Sequence, residues 1–204
     1  MNHDECKNKN ITIIEQMMSE NNGYVTTRQV VEKGIHRMYL ELMLKQGIIE
    51  RVDYGVYIDS KKIEDKYYVF SIRTPNAVFS HMTALYFHGL SIKAPDTQYD
   101  ITLKRGYHNI RLANHNCFFV ENDLFDMGIE FIETPMNNKI KVYDIERCIC
   151  DIIRSKGRMD LEHVKYSVKQ YIRRKDKNLV KLSKYAEEFG IKEEVMDFIS
   201  MMYE

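Results

Sequence analysis

The 204-residue sequence predicts an α+β fold: a helix-turn-helix with a β-hairpin, a small mixed sheet packed with helices, and a helical C-terminal tail. Three observations carry this prediction. Apolar residues recur at helical spacing near both ends of the chain, as on an amphipathic helix. Between residues 99 and 143, short β-branched and aromatic runs alternate with turn-rich segments, as strands do. Residues 26–58 combine two short helical patterns, separated at Gly34, with a hairpin pattern around Asp53-Tyr54-Gly55.

Taken in order, residues 1–9 are polar and expected to fray. Ile11, Ile14 and Met18, with Ile13 and Met17 beside them, form the apolar stripe of a first helix that stops at Asn21-Asn22-Gly23. Thr26 or Thr27 caps a short second helix, because a hydroxyl can accept an otherwise orphan backbone N–H. Val30 and Val31 give that helix an apolar side, and Gly34 with Ile35 turns the chain. A third helix starts near His36, sends Leu40, Met43 and Leu44 inward and ends at Gly47. Residues 48–52 and 56–58 then form the two strands of a wing. This is a winged helix-turn-helix pattern, expected to occupy residues 1–62, with the charged stretch 61–65 as the junction to an α+β domain over 63–204. A wing domain this small is marginal alone, so packing against the rest of the chain is expected.

Residues 66–73 read as a buried helix or strand ended by Pro75, and residues 78–90 as a helix capped by Ser80 and closed by Gly89. Strands are expected at 99–103, 117–120, 128–133 and 140–143, forming a four-stranded sheet against that helix. Helices follow at 145–155, 160–174, 178–189 and 192–203, with breaks at Gly157 and Gly190.

Composition excludes several classes. Thirty basic and thirty acidic residues give no net charge, so any attraction to nucleic acid must be local. No apolar run approaches the ~18 residues of a membrane span, and the start, MNHDECKNKN, lacks the apolar core of a signal peptide. Cys6, Cys117, Cys148 and Cys150 are few and irregularly spaced, as expected of reduced thiols in a cytoplasmic protein, the last two half-buried on a helix.

The third helix is the candidate DNA reader. With Leu40, Met43 and Leu44 inward, Arg37, Met38, Glu41, Leu42 and Lys45 face outward, and a recognition helix places such a face in the major groove. Arg37 is the best candidate for reading base edges, supported by His36 and Tyr39. Lys45, Arg51 and Tyr54 suit phosphates, and Thr27 and Arg28 complete the candidate set. The outward Met38 and Leu42 leave open a protein-interaction module, since the face is only weakly basic.

Four further stretches matter together: Gly55-Val56-Tyr57 at the wing, SHMTALYFHGL at 80–90, VYDIERCICDIIR at 142–154, and a basic helix followed by NLVKLSKYAEEFGI at 178–191. In this order, over roughly residues 10–200, they resemble the AbiEi family of abortive-infection antitoxins, the antitoxin half of type IV toxin–antitoxin pairs. The resemblance implies an N-terminal winged helix that binds inverted repeats in double-stranded operator DNA and represses its own operon. It also implies a C-terminal domain that opposes a nucleotidyltransferase-like toxin without a stable complex. The sequence departs from similar winged helices in carrying fewer arginines around the third helix and wing.

A second electropositive region answers that departure. Residues 154–184 hold eleven Lys or Arg against three acids, and Lys165, Lys169 and Arg173 fall four apart along one helix face, with Arg174 and Lys175 just beyond. Such a stripe contacts phosphates without reading sequence; an RNA or acidic partner, or a merely solvated face, are the other readings. His81 with His88, and His108 with His115 and Cys117, lack the ligand number and spacing of a zinc site. Cys148 and Cys150 diverge on a helix. The cluster Asp144, Glu146, Arg147 and Asp151 reads as helix capping and dipole complementation. No phosphate-cradling glycine loop, G-x-S-x-G or H-E-x-x-H occurs, so neither catalysis, metal nor cofactor is expected. The rival readings are a ligand-sensing transcriptional regulator without a toxin partner, and an enzyme fused to a winged helix.

Overall fold

The computed structural model describes residues 3–107, 109 and 112–202, with side chains from residue 9 onward. It is a mixed α+β chain with two sheets, of three and five strands. Contacts divide it into two units: one runs to Thr74 and takes in Glu133–Ile140, the other comprises Pro75–Ile132 and Lys141–Glu204. The division therefore falls twelve residues beyond the expected 62/63 junction, and an eight-residue segment of the later sequence belongs to the first unit. Asp65 is the physical reason, as described below.

The first unit opens with α1 (His3–Glu20), which starts well before the stripe at Ile11; residues 3–9 are helical where fraying was expected. Gly23 ends it, donating its N–H to the Met18 carbonyl at 2.6 Å with φ at +90°, a conformation glycine adopts without strain. There follow β1 (Tyr24–Thr26), α2 (Thr27–Glu32), α3 (Met38–Lys45), β2 (Ile49–Asp53), β3 (Val56–Asp59) and α4 (Lys66–Arg73). Thr26 is the cap: its hydroxyl accepts from the Gln29 N–H at 3.2 Å while the Gln29 side chain accepts from the Thr26 N–H at 2.8 Å, a reciprocal capping box.

The three strands lie in the order β1-β3-β2, and alternation along them sorts the core. Val25 and Tyr57, paired across β1 and β3, join Ile14, Met18, Val30, Leu40 and Met43 of α1–α3. Tyr24, Val56 and Ile58 face the other way and meet Val69 of α4. Covering both faces explains why Val56, Tyr57 and Ile58 are all buried, a run that a one-faced wing would not show. Val31, expected on the apolar side of α2, is instead exposed.

Asp65 ties this unit together. It is buried, caps α4 by accepting from the Tyr67 and Tyr68 N–H groups, and accepts from the Thr134 hydroxyl and the Asn138 amide, the latter at 2.8 Å. A carboxylate so satisfied holds α4 and the 133–140 segment in the first unit.

The second unit contains β4 (Val78–Phe79), α5 (His81–Phe87), β5 (Asp100–Lys104), β6 (Asn116–Val120), α6 (Asn122–Phe125) and most of β7 (Ile129–Glu133) and β8 (Lys139–Tyr143), whose facing ends belong to the 133–140 segment. Helices α7 (Ile145–Arg154), α8 (Leu161–Arg173), α9 (Leu179–Glu188) and α10 (Lys192–Met202) complete it. The sheet runs β6-β5-β4-β8-β7, parallel at β5/β6 and β4/β8 and antiparallel at β4/β5, so it has five strands rather than four. The added strand is Val78–Phe79, expected as the start of a helix. Extended backbone at Ser80 (φ −141°, ψ −177°) separates it from α5. Ser80 occupies the cap position, but its hydroxyl bonds the His81 ring instead of the helix backbone.

Helices α7, α8 and α9 are capped by Asp144, Asp160 and Asn178, each accepting backbone N–H groups of the first turn. Helix α7 is the core helix, with every residue from Glu146 to Ile153 buried. Cys148 and Cys150 are accordingly fully buried rather than half-buried. Tyr203, the expected end of the last helix, lies outside the described residues.

Candidate nucleic-acid interface

On α3, Leu40 and Met43 are buried and Leu44 partly so, which leaves Arg37, Met38, Glu41 and Lys45 exposed. Arg37 sits at the N-cap position and Lys45 in the last turn, so the two cations bracket Glu41 at successive four-residue steps. His36 is exposed, and its Nδ1 accepts the Met38 N–H at 3.2 Å, so this ring is occupied in starting α3. Tyr39 is half-buried and packs on the core cluster, on the opposite side from Arg37. Leu42 is half-buried, so Met38, 53% exposed, is the apolar residue that the face presents.

Thr27 begins α2 and is half-buried; its N–H donates to the Gly55 carbonyl at 2.9 Å, which ties the helix start to the wing turn. Gly55 has φ of +71°, and a Cβ there would approach the Thr27 hydroxyl to 3.3 Å. A side chain at this turn would be strained on both counts. Arg28 is exposed but paired with Glu32 at 2.7 Å, and the carboxylate beside it raises its pKa further. At the wing tip, Tyr54 is 68% exposed, with the Arg51 guanidinium 5.2 Å and the Arg73 guanidinium 5.7 Å from its ring centre. Arg73 also pairs with Asp53 at 3.3 Å. Arg73, on α4, was not visible as a site residue, because only tertiary folding brings it to Tyr54.

The basic helix keeps its expected faces. Val164, Val168, Tyr171 and Ile172 of α8 are buried, and Lys169 and Arg173 are exposed. The surplus is smaller than the sequence count implies. Arg154 pairs with Asp151, Lys156 with Glu194, Lys165 with Glu162, Arg174 with Asp176, and Lys181 with Asp144. Lys169, Arg173, Lys175 and Lys184 form no ion pair among the described residues.

The cluster on α7 is a buried electrostatic core. Arg147 is inaccessible to solvent; its Nε donates to Asp151 at 3.0 Å and its Nη1 to the carbonyls of Leu124 and Met127. The guanidinium lies between the rings of Tyr143 and Phe189, at 4.1 and 4.4 Å. Burial pushes the Asp151 carboxyl up, opposed by Arg147 and Arg154. Glu146 accepts from the Tyr171 hydroxyl and the Asn178 N–H. Among the described residues, no group of three or more His, Cys, Asp or Glu is arranged to hold a metal ion. His81, His88 and His115 hydrogen-bond within the second unit, and His108 lies outside the described residues. No helix of the described residues is long and apolar enough to cross a membrane.

The first unit thus presents a short exposed helix beside a hairpin, an order consistent with a winged helix-turn-helix module of a DNA-binding regulator. Residues 16–58, from α1 through β3, match the family model described as "Transcriptional regulator, AbiEi antitoxin", which bears out the sequence resemblance over that stretch. Of solved structures, the crystal structure of the RV2827C protein from Mycobacterium tuberculosis has a TM-score of 0.62 at 12% identity, covering 95% of this chain and 76% of that one. At that identity the likeness concerns the fold. No curated protein matches the chain.

Proposed function

We propose that this protein is a type IV antitoxin that binds inverted repeats in its own operator through a winged helix-turn-helix and represses its operon. The observation that carries this reading is the match of residues 16–58 to AbiEi antitoxin regulators, over the stretch whose exposed face holds Arg37 and Lys45. Arg37, at the start of α3, reads a base edge; Lys45, Arg51 and Tyr54 contact phosphates. Thr27 supports the wing turn, and Arg28 reaches phosphate by exchanging Glu32 for it. His36 and Tyr39 position the helix rather than touch DNA, given the Met38 N–H on one ring and the core against the other. Arg73 joins Arg51 at the wing tip. Lys169, Arg173 and Lys175 on the second unit add phosphate affinity, while Lys165 and Arg174 are held by acids. The second unit opposes a nucleotidyltransferase-like toxin without a stable complex, in the cytoplasm.

The test is an electrophoretic shift on the protein's own upstream DNA. Arg37→Ala with Lys45→Ala should abolish the specific shift while far-UV circular dichroism stays unchanged, since both side chains are exposed. Losing one base-edge contact and one phosphate contact corresponds to about 2–4 kcal/mol. A surviving sequence-specific shift would show that α3 is not the reader.

A further inference from the structure

The second unit holds a cleft of about 520 Å³, between the 91–98 loop, the starts of β5 and β6, and residues 158–163. Small-molecule sites have this size, with a few fixed polar groups on a largely preformed wall. One wall is a stack of three side chains. The His81 ring lies on Phe118 at 3.5 Å and 18°, and the Arg158 guanidinium lies over Phe118 at 4.6 Å. Both Phe118 and Arg158 line the cleft. The stack rests on backbone held in an unusual state, because His81 has φ of +47°, a conformation that side chains adopt only where the surroundings enforce it.

Beside this platform sits Asp100, 7% exposed, accepting the Met82 N–H at 3.0 Å and the Asn116 amide at 2.8 Å. Burial pushes its carboxyl upward, so a further hydrogen-bond donor would be welcome there. Lys93 and His163 also line the cleft, along with Asp96 and Asp160; the Asp160 carboxylate caps α8 and lies 4.0 Å from the His163 ring. A guanidinium already stacked on an aromatic ring can stack a base on its other face. A fixed carboxylate accepts from a ring amine, and a lysine with a histidine suits a phosphate.

We propose that this cleft binds a mononucleotide, its base stacked on Arg158 and hydrogen-bonded to Asp100, its phosphate held by Lys93 and His163. The volume of the cleft accommodates one nucleotide rather than a strand. Isothermal titration of the full chain with AMP, GMP, CMP and UMP tests this, with the nucleosides and inorganic phosphate titrated alongside. At least one mononucleotide should bind saturably, about tenfold or more tighter than its nucleoside or phosphate alone. Arg158→Ala and Lys93→Ala, both at exposed side chains, should each weaken that binding by about tenfold, with circular dichroism unchanged. Absence of saturable binding by all four nucleotides up to about 5 mM, which leaves less than ~3 kcal/mol of interaction, would overturn the assignment. Equal binding by the wild type and Arg158→Ala, or by phosphate alone and the nucleotide, would overturn it as well.

Discussion

Replacing Arg147 by Met removes a cation from a position that solvent does not reach. Three acceptors lose their donor: Asp151, and the Leu124 and Met127 carbonyls. Asp151 keeps Arg154, at 2.9 Å, as its remaining cation. Breaking a buried pair by deleting one member costs about 3–5 kcal/mol, mostly from the charge left behind. The upper half of that range applies here, because two backbone carbonyls are orphaned too, offset by the contacts Met keeps with Tyr143 and Phe189. At a urea m-value of about 2–3 kcal/mol/M, the unfolding midpoint should fall by about 1.5 M. The second arm is Asp151→Leu in the Arg147→Met background. If the loss comes from the stranded carboxylate, the double variant should be more stable than the single one, with a coupling of at least about 1 kcal/mol. A single variant within ~1 kcal/mol of wild type, or a double variant no better than the single, would refute the view of α7 as an electrostatic core.

Two further outcomes follow from the same side chains and their neighbours. Burial, with Arg154, Arg147 and Arg158 nearby, holds His81 neutral and its pKa well below 6.5. The unfolded chain takes up that proton near pH 6.5 and the folded chain does not. Stability is therefore complete above pH 6.5 and falls by about 1.4 kcal/mol per unit as pH drops below it. His81→Asn, chosen because Asn tolerates positive φ, should flatten that slope in urea melts at pH 5.0–6.5; equal slopes would mean that His81 is not kept neutral. On the DNA side, Lys169→Ala, Arg173→Ala and Lys175→Ala together should weaken operator binding and reduce the slope of log K against log salt by up to ~3, about 0.9 per lost phosphate contact. An unchanged slope would leave these cations as a solvated face.

The helices were legible because their signals are local. Asp144, Asp160 and Asn178 mark three starts, and glycines at 23, 47, 89 and 190 adopt positive φ near helix ends, as the punctuation implied. The two strands that went unseen, β1 and β4, are three and two residues long, too short to show a period. The contact units divide beyond the expected junction because charge at 61–65 reads as solvated, whereas Asp65 is buried and accepts hydrogen bonds from residues some seventy positions away. Charge counting also misled at 154–184, since Glu194, Asp144 and Asp151, which neutralise three of those cations, lie outside that window. The exposure of Arg37 and Lys45 was legible from helical phase, whereas the approach of Arg73 to Tyr54 was not.

The chain passes from one unit to the other three times, at 74/75, 132/133 and 140/141. A contiguous exchange of residues 1–62 with those of a relative would therefore bring in Asn22 and Tyr24 equivalents that meet an unfamiliar 133–140 segment and Asp65. Recombination between such genes at the apparent junction would yield chimaeras with buried donors facing the wrong acceptors. Single changes on the exposed side of α3, at Arg37, Met38, Glu41 and Lys45, leave those contacts untouched, and under the proposed function they are where operator preference would change. A graft of residues 1–74 should therefore carry residues 133–140 with it.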